Sequence, residues 1–162
     1  MPGLPILSNQ DFDDHFGNQK EYLGTFSKDL LASVKIPKTV PSFAIINMQD
    51  DDKGTGTHWV AMFNDPADKD YVYYFDSYGV VPPADVEAWL KKKTGKQVLY
   101  NTSEIQNLKS TSCGWYCIAF IYNSLMEQPF LDFVNIFDQS GDKKFHNERK
   151  LFTLLEAFKV IQ

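Results

Sequence analysis

The chain has 162 residues, of which 43% are hydrophobic and 15% aromatic, a composition sufficient for a single packed domain over residues 1–162. The formal net charge of −5 argues against a strongly basic face of the kind that binds phosphate backbones. The N-terminal segment lacks the positive start and continuous apolar stretch of a signal peptide, and no later run approaches membrane-spanning length. We therefore expect a soluble, intracellular, non-secreted protein.

Two small residue groups are consistent with that expectation. Cys113 and Cys117 lie four residues apart in one apolar segment, which is not the pattern of a disulfide-stabilised scaffold and favours a reducing compartment. A local basic patch consists of Lys91–93 and Lys96. The patch fits the solvated end of a helix better than a nucleic-acid site.

The N-terminal part of the chain predicts two short helices. Ser8 and Asp11 stand in a capping-box pattern ahead of Phe12, where aromatic residues recur at helical spacing. A second short helix is predicted after Ser27 and should end before Pro37, because the residue before a proline disfavours helical geometry.

The middle of the chain predicts a small sheet. Residues 42–48, 58–63 and 71–75 are apolar, β-branched or aromatic runs bounded by Asp, Gly, Asn or Pro. The turn residues at 64–68 favour an antiparallel hairpin between the second and third runs. Residues 98–100 predict a further strand.

Helices are predicted to follow and surround this sheet. Pro82 and Pro83 open a helical pattern that should stop near Gly95. Residues 113–126 are almost wholly apolar and long enough for a buried helix, preceded by hydroxyl residues suited to capping. Residues 130–137 and the segment from Asn147 complete the pattern. The fold class is α+β, with a small central mixed or antiparallel sheet packed against helices.

Cys113 is the candidate nucleophile because it falls where a loop becomes the buried helix. Unpaired N–H groups at a helix start stabilise a thiolate, and Gly114 would let a substrate backbone approach closely. A cysteine in an apolar helix is also commonly a small core residue, and Cys117, one turn deeper, is assigned to packing.

His58 is the candidate base among the three histidines. It starts a predicted strand directly after the stretch 53–57, which is rich in glycine, so its ring should lie at a sheet edge beside a loop. His15 belongs to a charged helix and His146 to a polar loop, and both are interpreted as exposed surface residues.

Asp76 is the candidate carboxylate that orients the base. It ends the apolar run 71–75, and pairing of the two strands would bring it beside His58. Asp76 also fits the first position of a turn that ends at Gly79, which is the commoner use of such an aspartate.

Three ordered segments together resemble the adenovirus maturation proteases and, more distantly, the proteases that process SUMO-like modifiers. The segments are Gly56-Thr57-His58-Trp59-Val60-Ala61, Tyr74-Phe75-Asp76-Ser77-Tyr78-Gly79, and the run from Gln106 to Ser112-Cys113-Gly114-Trp115-Tyr116-Cys117. The chain order His, Asp, Gln, Cys agrees with that family. The segments near Leu7 and at 24–29 resemble, more loosely, the relatives encoded by virophages, Polinton-like elements and other DNA viruses.

The resemblance implies an adenain-like fold and a cysteine endopeptidase. It implies that Gln106 supplies a side-chain N–H to the oxyanion hole opposite the backbone N–H of Cys113, and that Trp59 packs beside the catalytic His58. It also implies protein substrates with small residues, often glycine, near the cut. The expected substrates are viral capsid and core precursors, and the expected locations are the virion and the viral factory.

The chain departs from the adenovirus enzyme in two respects. No cysteine lies between Asp76 and Cys113, so a disulfide-tethered peptide activator is not expected, and the acidic net charge argues against activation by DNA. We expect no metal, no other cofactor, no membrane partner and a monomeric protein.

Three alternatives accompany this interpretation. A modifier-deconjugating protease would use the same triad, although its domain is usually longer. The same fold and triad can serve acetyl transfer from acetyl-CoA, but no added basic cofactor site is evident. The third alternative is a binding module in which the triad is inert and Cys113 is a buried thiol.

Overall fold

The computed structural model describes residues 3–49, 58–107, 110–139 and 146–162, and it confirms the α+β class. A five-stranded mixed sheet has its strands in chain order. The strands are β1 (Tyr22–Ser27), β2 (Ser42–Asn47), β3 (Trp59–Asn64), β4 (Tyr71–Phe75) and β5 (Gln97–Tyr100). The helices are α1 (Asn9–Phe16), α2 (Ala84–Thr94), α3 (Cys113–Leu125), α4 (Phe130–Ile136) and α5 (Asn147–Ala157), with a 3-10 helix at Lys28–Ser33.

The central strands are buried on both faces. Along β2, Phe43 and Ile45 point into one apolar cluster with α1, α3, α4 and α5, while Ala44 and Ile46 point into a second cluster with α2 and the 3-10 helix. This alternation follows from the two-residue period of a strand. Helices therefore cover both faces of the sheet, and α3 packs directly on β3.

The pairing of the middle strands follows the sequence prediction. β2 pairs antiparallel with β3, and β3 pairs antiparallel with β4 through the turn at 64–68. β5 pairs parallel with β4 because α2 carries the chain back between them. The start of β3 and the end of β4 consequently lie at the same end of the sheet.

Two elements differ from the sequence prediction. The edge strand β1 was not predicted, and it is irregular, with a register shift between Tyr22 and Gly24 and a positive φ of 137° at Gly24. The helix predicted after Ser27 is a 3-10 helix that ends at Ser33. Both segments are short, so local propensity gives them little signal.

The helix ends mostly follow the predicted signals. Ser8 and Asp11 form the reciprocal capping box of α1, which contributes about 1 kcal/mol to a helix. α2 ends at Gly95 with φ of 70°, and Lys91–93 occupy its last turn, as expected for the solvated end of a helix. Within the described residues, no helix is both long and apolar enough to cross a membrane.

Candidate active site

His58 and Asp76 meet because of how β3 and β4 pair. His58 directly precedes β3, Asp76 directly follows β4, and the antiparallel register places Ala61 opposite Phe75. The two side chains are joined by a contact of 2.8 Å between Nε2 of His58 and Oδ1 of Asp76. The histidine side chain is 18% exposed and the carboxylate 4% exposed, so water screens this pair little.

Cys113 interacts with His58 from the start of α3. It is the first residue of α3, which packs on β3, and the residue is only 5% exposed. Ser112 is the N-cap residue but its side chain makes no capping hydrogen bond, so the predicted hydroxyl cap of α3 is not formed by that residue. The positive end of the helix therefore acts on the thiol without a competing side-chain oxygen from Ser112.

The environment of His58 favours its protonated form. Burial of the ring would lower the pKa, but the hydrogen bond to Asp76 and the interaction with the Cys113 thiol raise the pKa of His58 to about 9. The second ring nitrogen, Nδ1, is buried and makes no hydrogen bond of ordinary geometry to the described residues. Because Nε2 is hydrogen-bonded to Asp76, we infer that Nδ1 is the ring nitrogen that faces Cys113.

The turn after β4 fixes Asp76 in position. Oδ1 of Asp76 accepts a second hydrogen bond from the backbone N–H of Tyr78 at 2.8 Å. Asn101 holds the Asp76 backbone, accepting from its N–H at 3.2 Å and donating to its carbonyl at 2.7 Å. The N–H of Gly79 also donates to the Asp76 carbonyl at 2.8 Å, so Asp76 begins a turn as well as binding the histidine. The two interpretations of Asp76 are compatible.

Gln106 is linked to the same turn through Ser77. The Gln106 N–H donates to the Ser77 carbonyl at 2.9 Å, and the Ser77 hydroxyl donates to Oε1 of Gln106 at 2.5 Å. Gln106 is fully buried, and its Nε2 donates to the carbonyl of Ser110 at 2.9 Å. The turn that follows Asp76 thus also holds the segment that leads to Cys113.

Trp59 and Gly114 both contact the segment that precedes α1. The indole N–H of Trp59 donates to the Leu7 carbonyl at 3.1 Å, and the indole N–H of Trp115 donates to the Pro5 carbonyl at 2.7 Å. A Cβ atom added to Gly114 would lie 3.0 Å from side-chain carbons of both Leu7 and Phe12. Packing therefore gives a reason for the glycine, while the support that Gly114 and Trp59 give to a substrate stays a prediction.

The other histidines and the second cysteine lie apart from this cluster. His15 is exposed and its Nε2 lies 2.9 Å from the hydroxyl of Tyr122, and His146 is exposed at the start of α5. Cys117 is buried, its thiol donates to the Trp59 carbonyl at 3.4 Å, and burial raises its pKa well above the ordinary value. The two thiols are not joined in a disulfide.

The glycine-rich stretch 53–57 ahead of His58, which includes Gly56 and Thr57, lies outside the described residues.

The sequence did not single out Tyr78, although it lies two residues after Asp76. Its ring lies against that of His58, with centroids 4.5 Å apart and planes inclined by 32°. Burial raises the pKa of Tyr78, and electrostatic interactions with Cys113 and Asp76 add to this effect. An aromatic face at this distance stabilises an imidazolium cation by about 0.5–2 kcal/mol.

Substitution of Tyr78 tests that contact. We expect Tyr78→Ala to lower kcat/KM for peptide cleavage by about tenfold, because the imidazolium loses its aromatic neighbour and its restraint. Tyr78→Phe keeps the ring and should retain activity within about twofold, since among the described residues the hydroxyl makes a single long bond, of 3.5 Å to the Ser110 carbonyl. Equal losses in both variants would assign the effect to the hydroxyl and contradict the stacking role.

Comparison with known proteins places the chain in a family. The sequence model of the adenovirus endoprotease family matches residues 22–146. Among curated proteins, R355 of Acanthamoeba polyphaga mimivirus, named as a thiol protease, is 35% identical over 88 residues, covering 49% of this chain and 29% of that protein. The SUMO-1 cysteine protease S273R of African swine fever virus is 27% identical over 131 residues, covering 73% of this chain and 48% of that protein.

A solved structure shows the same fold. The crystal structure of the African swine fever virus pS273R protease superposes with a TM-score of 0.60 at 18% identity, over 89% of this chain and 66% of that one. The chain belongs to the adenovirus endoprotease family. It spans about half or less of the length of the curated relatives that it matches.

Proposed function

We propose that the protein is a virus-encoded cysteine endopeptidase in which Cys113 is the nucleophile, His58 the base, Asp76 the orienting carboxylate and Gln106 a donor to the oxyanion. The observation that carries the proposal is the histidine that binds a buried carboxylate at 2.8 Å through Nε2 while its ring interacts with a thiol at a helix start. A thiol kept only for packing, as at Cys117, needs no such partner.

The first half of the reaction forms a thioester. His58 holds the proton of Cys113 as an imidazolium, and the thiolate adds to the peptide carbonyl carbon. The carbonyl oxygen becomes an oxyanion, which is bound by the backbone N–H of Cys113 and by the amide of Gln106. When the intermediate collapses, the C–N bond breaks and His58 gives its proton to the leaving amine.

The second half releases the acyl product. Neutral His58 removes a proton from water, and the resulting hydroxide adds to the thioester carbonyl. A second oxyanion forms in the same place and collapses with loss of the Cys113 thiolate, which regenerates the thiolate–imidazolium pair. Asp76 keeps the ring in the tautomer that carries hydrogen on Nε2, so that Nδ1 handles the transferred proton.

We assign the substrates to precursors of virion structural proteins, cut beside glycine, and the place of action to the virion and the viral factory. Two observations support this assignment: the curated relatives are viral proteins, and the chain belongs to the adenovirus endoprotease family. A second candidate is the processing of ubiquitin-like modifiers, which the printed name of the African swine fever virus relative favours. In either case we propose that neither a disulfide-tethered peptide nor DNA is needed for activity.

Mass spectrometry of newly formed N-termini tests the proposal. The purified protein is incubated separately with structural proteins encoded by the same genome and with a panel of ubiquitin-like precursors, with and without added DNA. We expect new termini next to glycine in the structural proteins, equal rates with and without DNA, and none with Cys113→Ala. Cleavage of the ubiquitin-like precursors alone would show that these, and not virion structural proteins, are the substrates. No cleavage of either set would contradict the proposed function.

A further inference from the structure

The first turn of α5 holds the segment that leads from β5 to α3. Asn147 is fully buried, and its Nδ2 donates to the carbonyl of Ile105 at 2.8 Å. The next residue, Glu148, accepts a hydrogen bond from the hydroxyl of Ser110 through Oε1. A helix near the end of the chain therefore contacts both sides of Gln106, which the proposed mechanism assigns to the oxyanion hole.

The hydroxyl of Ser110 has all of its hydrogen-bonding capacity in use. A serine hydroxyl offers one donor and two acceptor sites. Ser110 donates to Glu148, and its oxygen accepts from Nε2 of Gln106 and from the N–H of Ser112, each at 3.2 Å. Because a carboxylate has no hydrogen to give, Glu148 fixes where the hydroxyl hydrogen points. Both lone pairs of Ser110 are consequently directed at Gln106 and at the residue before Cys113.

The amide of Gln106 is thereby held in one orientation. Its Oε1 accepts from the Ser77 hydroxyl, and its Nε2 donates to the carbonyl and the hydroxyl of Ser110, at 2.9 and 3.2 Å. Rotation of the amide by half a turn would place its oxygen against the Ser110 carbonyl, where it would find no donor. Both acceptors belong to Ser110, so one hydrogen of Nε2 can be shared between them in a three-centre bond, which leaves the second hydrogen for an oxyanion.

We propose that Glu148, acting through Ser110, is a positioning residue that aims the Gln106 amide at the developing oxyanion. This inference rests on the proposed function. It assigns to Glu148 an effect on the acylation step that is separate from activation of the thiol, since Glu148 acts on the oxyanion donors and not on the ion pair of His58 with Asp76.

Three variants separate this role from a structural one. Glu148→Asp keeps a negative charge in the first turn of α5, where it favours the helix, but its shorter side chain no longer reaches Ser110. Glu148→Gln loses the charge but keeps an oxygen that can accept from Ser110. Ser110→Ala removes the link itself. Glu156→Ala, at an exposed site on the same helix, is the matched control.

Two rates are measured for each variant. The first is kcat for a blocked tetrapeptide that ends in Gly-Gly joined to aminomethylcoumarin, which passes through an oxyanion. The second is alkylation of Cys113 by iodoacetamide, which requires the thiolate but forms no oxyanion. We expect Glu148→Asp and Ser110→Ala to lower kcat about tenfold with KM changed less than twofold, Glu148→Gln to lower it less, and every alkylation rate to stay unchanged.

The double variant provides a further criterion. If Glu148 acts through Ser110, combining Glu148→Asp with Ser110→Ala should lower kcat no more than Ser110→Ala alone. Unchanged kcat in Glu148→Asp and Ser110→Ala would overturn the inference while leaving the protease proposal intact. Parallel loss of alkylation and kcat would also overturn it, by showing that the variants disturb the thiol. Slow alkylation of the unsubstituted protein would instead count against the proposed function.

Discussion

Cys113→Ala is expected to abolish peptide cleavage, with a fall in kcat of at least about 10⁴-fold, because no other group in the site can form the thioester. The same change should remove the fast alkylation by iodoacetamide at mildly acidic pH that a thiolate paired with imidazolium gives. Both effects are measured on one preparation, by peptide hydrolysis and by intact-mass analysis.

Cys117 supplies the matched control. It lies one turn along the same helix, is fully buried, and has a pKa raised by burial, so it should label slowly. We expect Cys117→Ala to keep cleavage within about twofold, at a stability cost of about 1 kcal/mol for the small cavity. Rapid labelling that survives Cys113→Ala and disappears in Cys117→Ala would show that Cys117 is the reactive thiol. That result would contradict the mechanism.

Asp76→Ala is expected to lower kcat/KM by about 10³-fold and to shift the alkaline limb of the pH–rate profile to lower pH. The contact with Asp76 is one of the interactions that raise the pKa of His58 to about 9. Without the carboxylate that pKa falls towards its ordinary value, so the imidazolium is lost at a lower pH and the active ion pair exists over a narrower range. The profile of kcat/KM between pH 5 and 10 measures the shift.

Asp76→Asn distinguishes charge from orientation at this position. The amide oxygen can still accept from Nε2 of His58 and from the N–H of Tyr78, so the ring should stay in place while the charge is lost. We expect activity between that of the unsubstituted protein and that of Asp76→Ala, with the same displacement of the alkaline limb. An alkaline limb that does not move in either variant would contradict the assignment of Asp76 as the partner of His58.

The sheet and its neighbours were accessible to sequence reasoning because each element carried a strong local signal. The segments that form β2, β3 and β4 are apolar and bounded by turn residues. Ser8 and Asp11 form a recognisable capping-box pattern at the start of α1. The edge strand β1 lacked such a signal, because part of its backbone geometry depends on Gly24 and on pairing with β2. Edge pairing is decided by tertiary contacts rather than by propensity.

The residues of the candidate site also fall into two groups, those that the sequence indicated and those that only the structure revealed. His58, Asp76, Gln106 and Cys113 were predicted because they stand in motifs of ordered spacing. The structure joins His58 to Asp76 and Cys113, and it links Gln106 to the turn after Asp76 through Ser77. Ser110 and Glu148 carry no motif, and their contact joins positions 38 residues apart. Only the fold could show that contact. Tyr78 belongs to one of the resembling segments, two residues after Asp76, but only the structure shows that its ring packs against His58.

The hydrogen bonds from Trp59 and Trp115 to residues ahead of α1 show that the N-terminal segment packs against the candidate site. This affects where a shortened version of the protein could begin. The family match begins at residue 22, but Leu7 and Phe12 pack on Gly114, the residue directly after Cys113. An expression boundary drawn at residue 22 would remove these neighbours and expose a face of α3 that is otherwise covered. The minimal unit for functional work therefore starts well ahead of residue 22, where the family match begins.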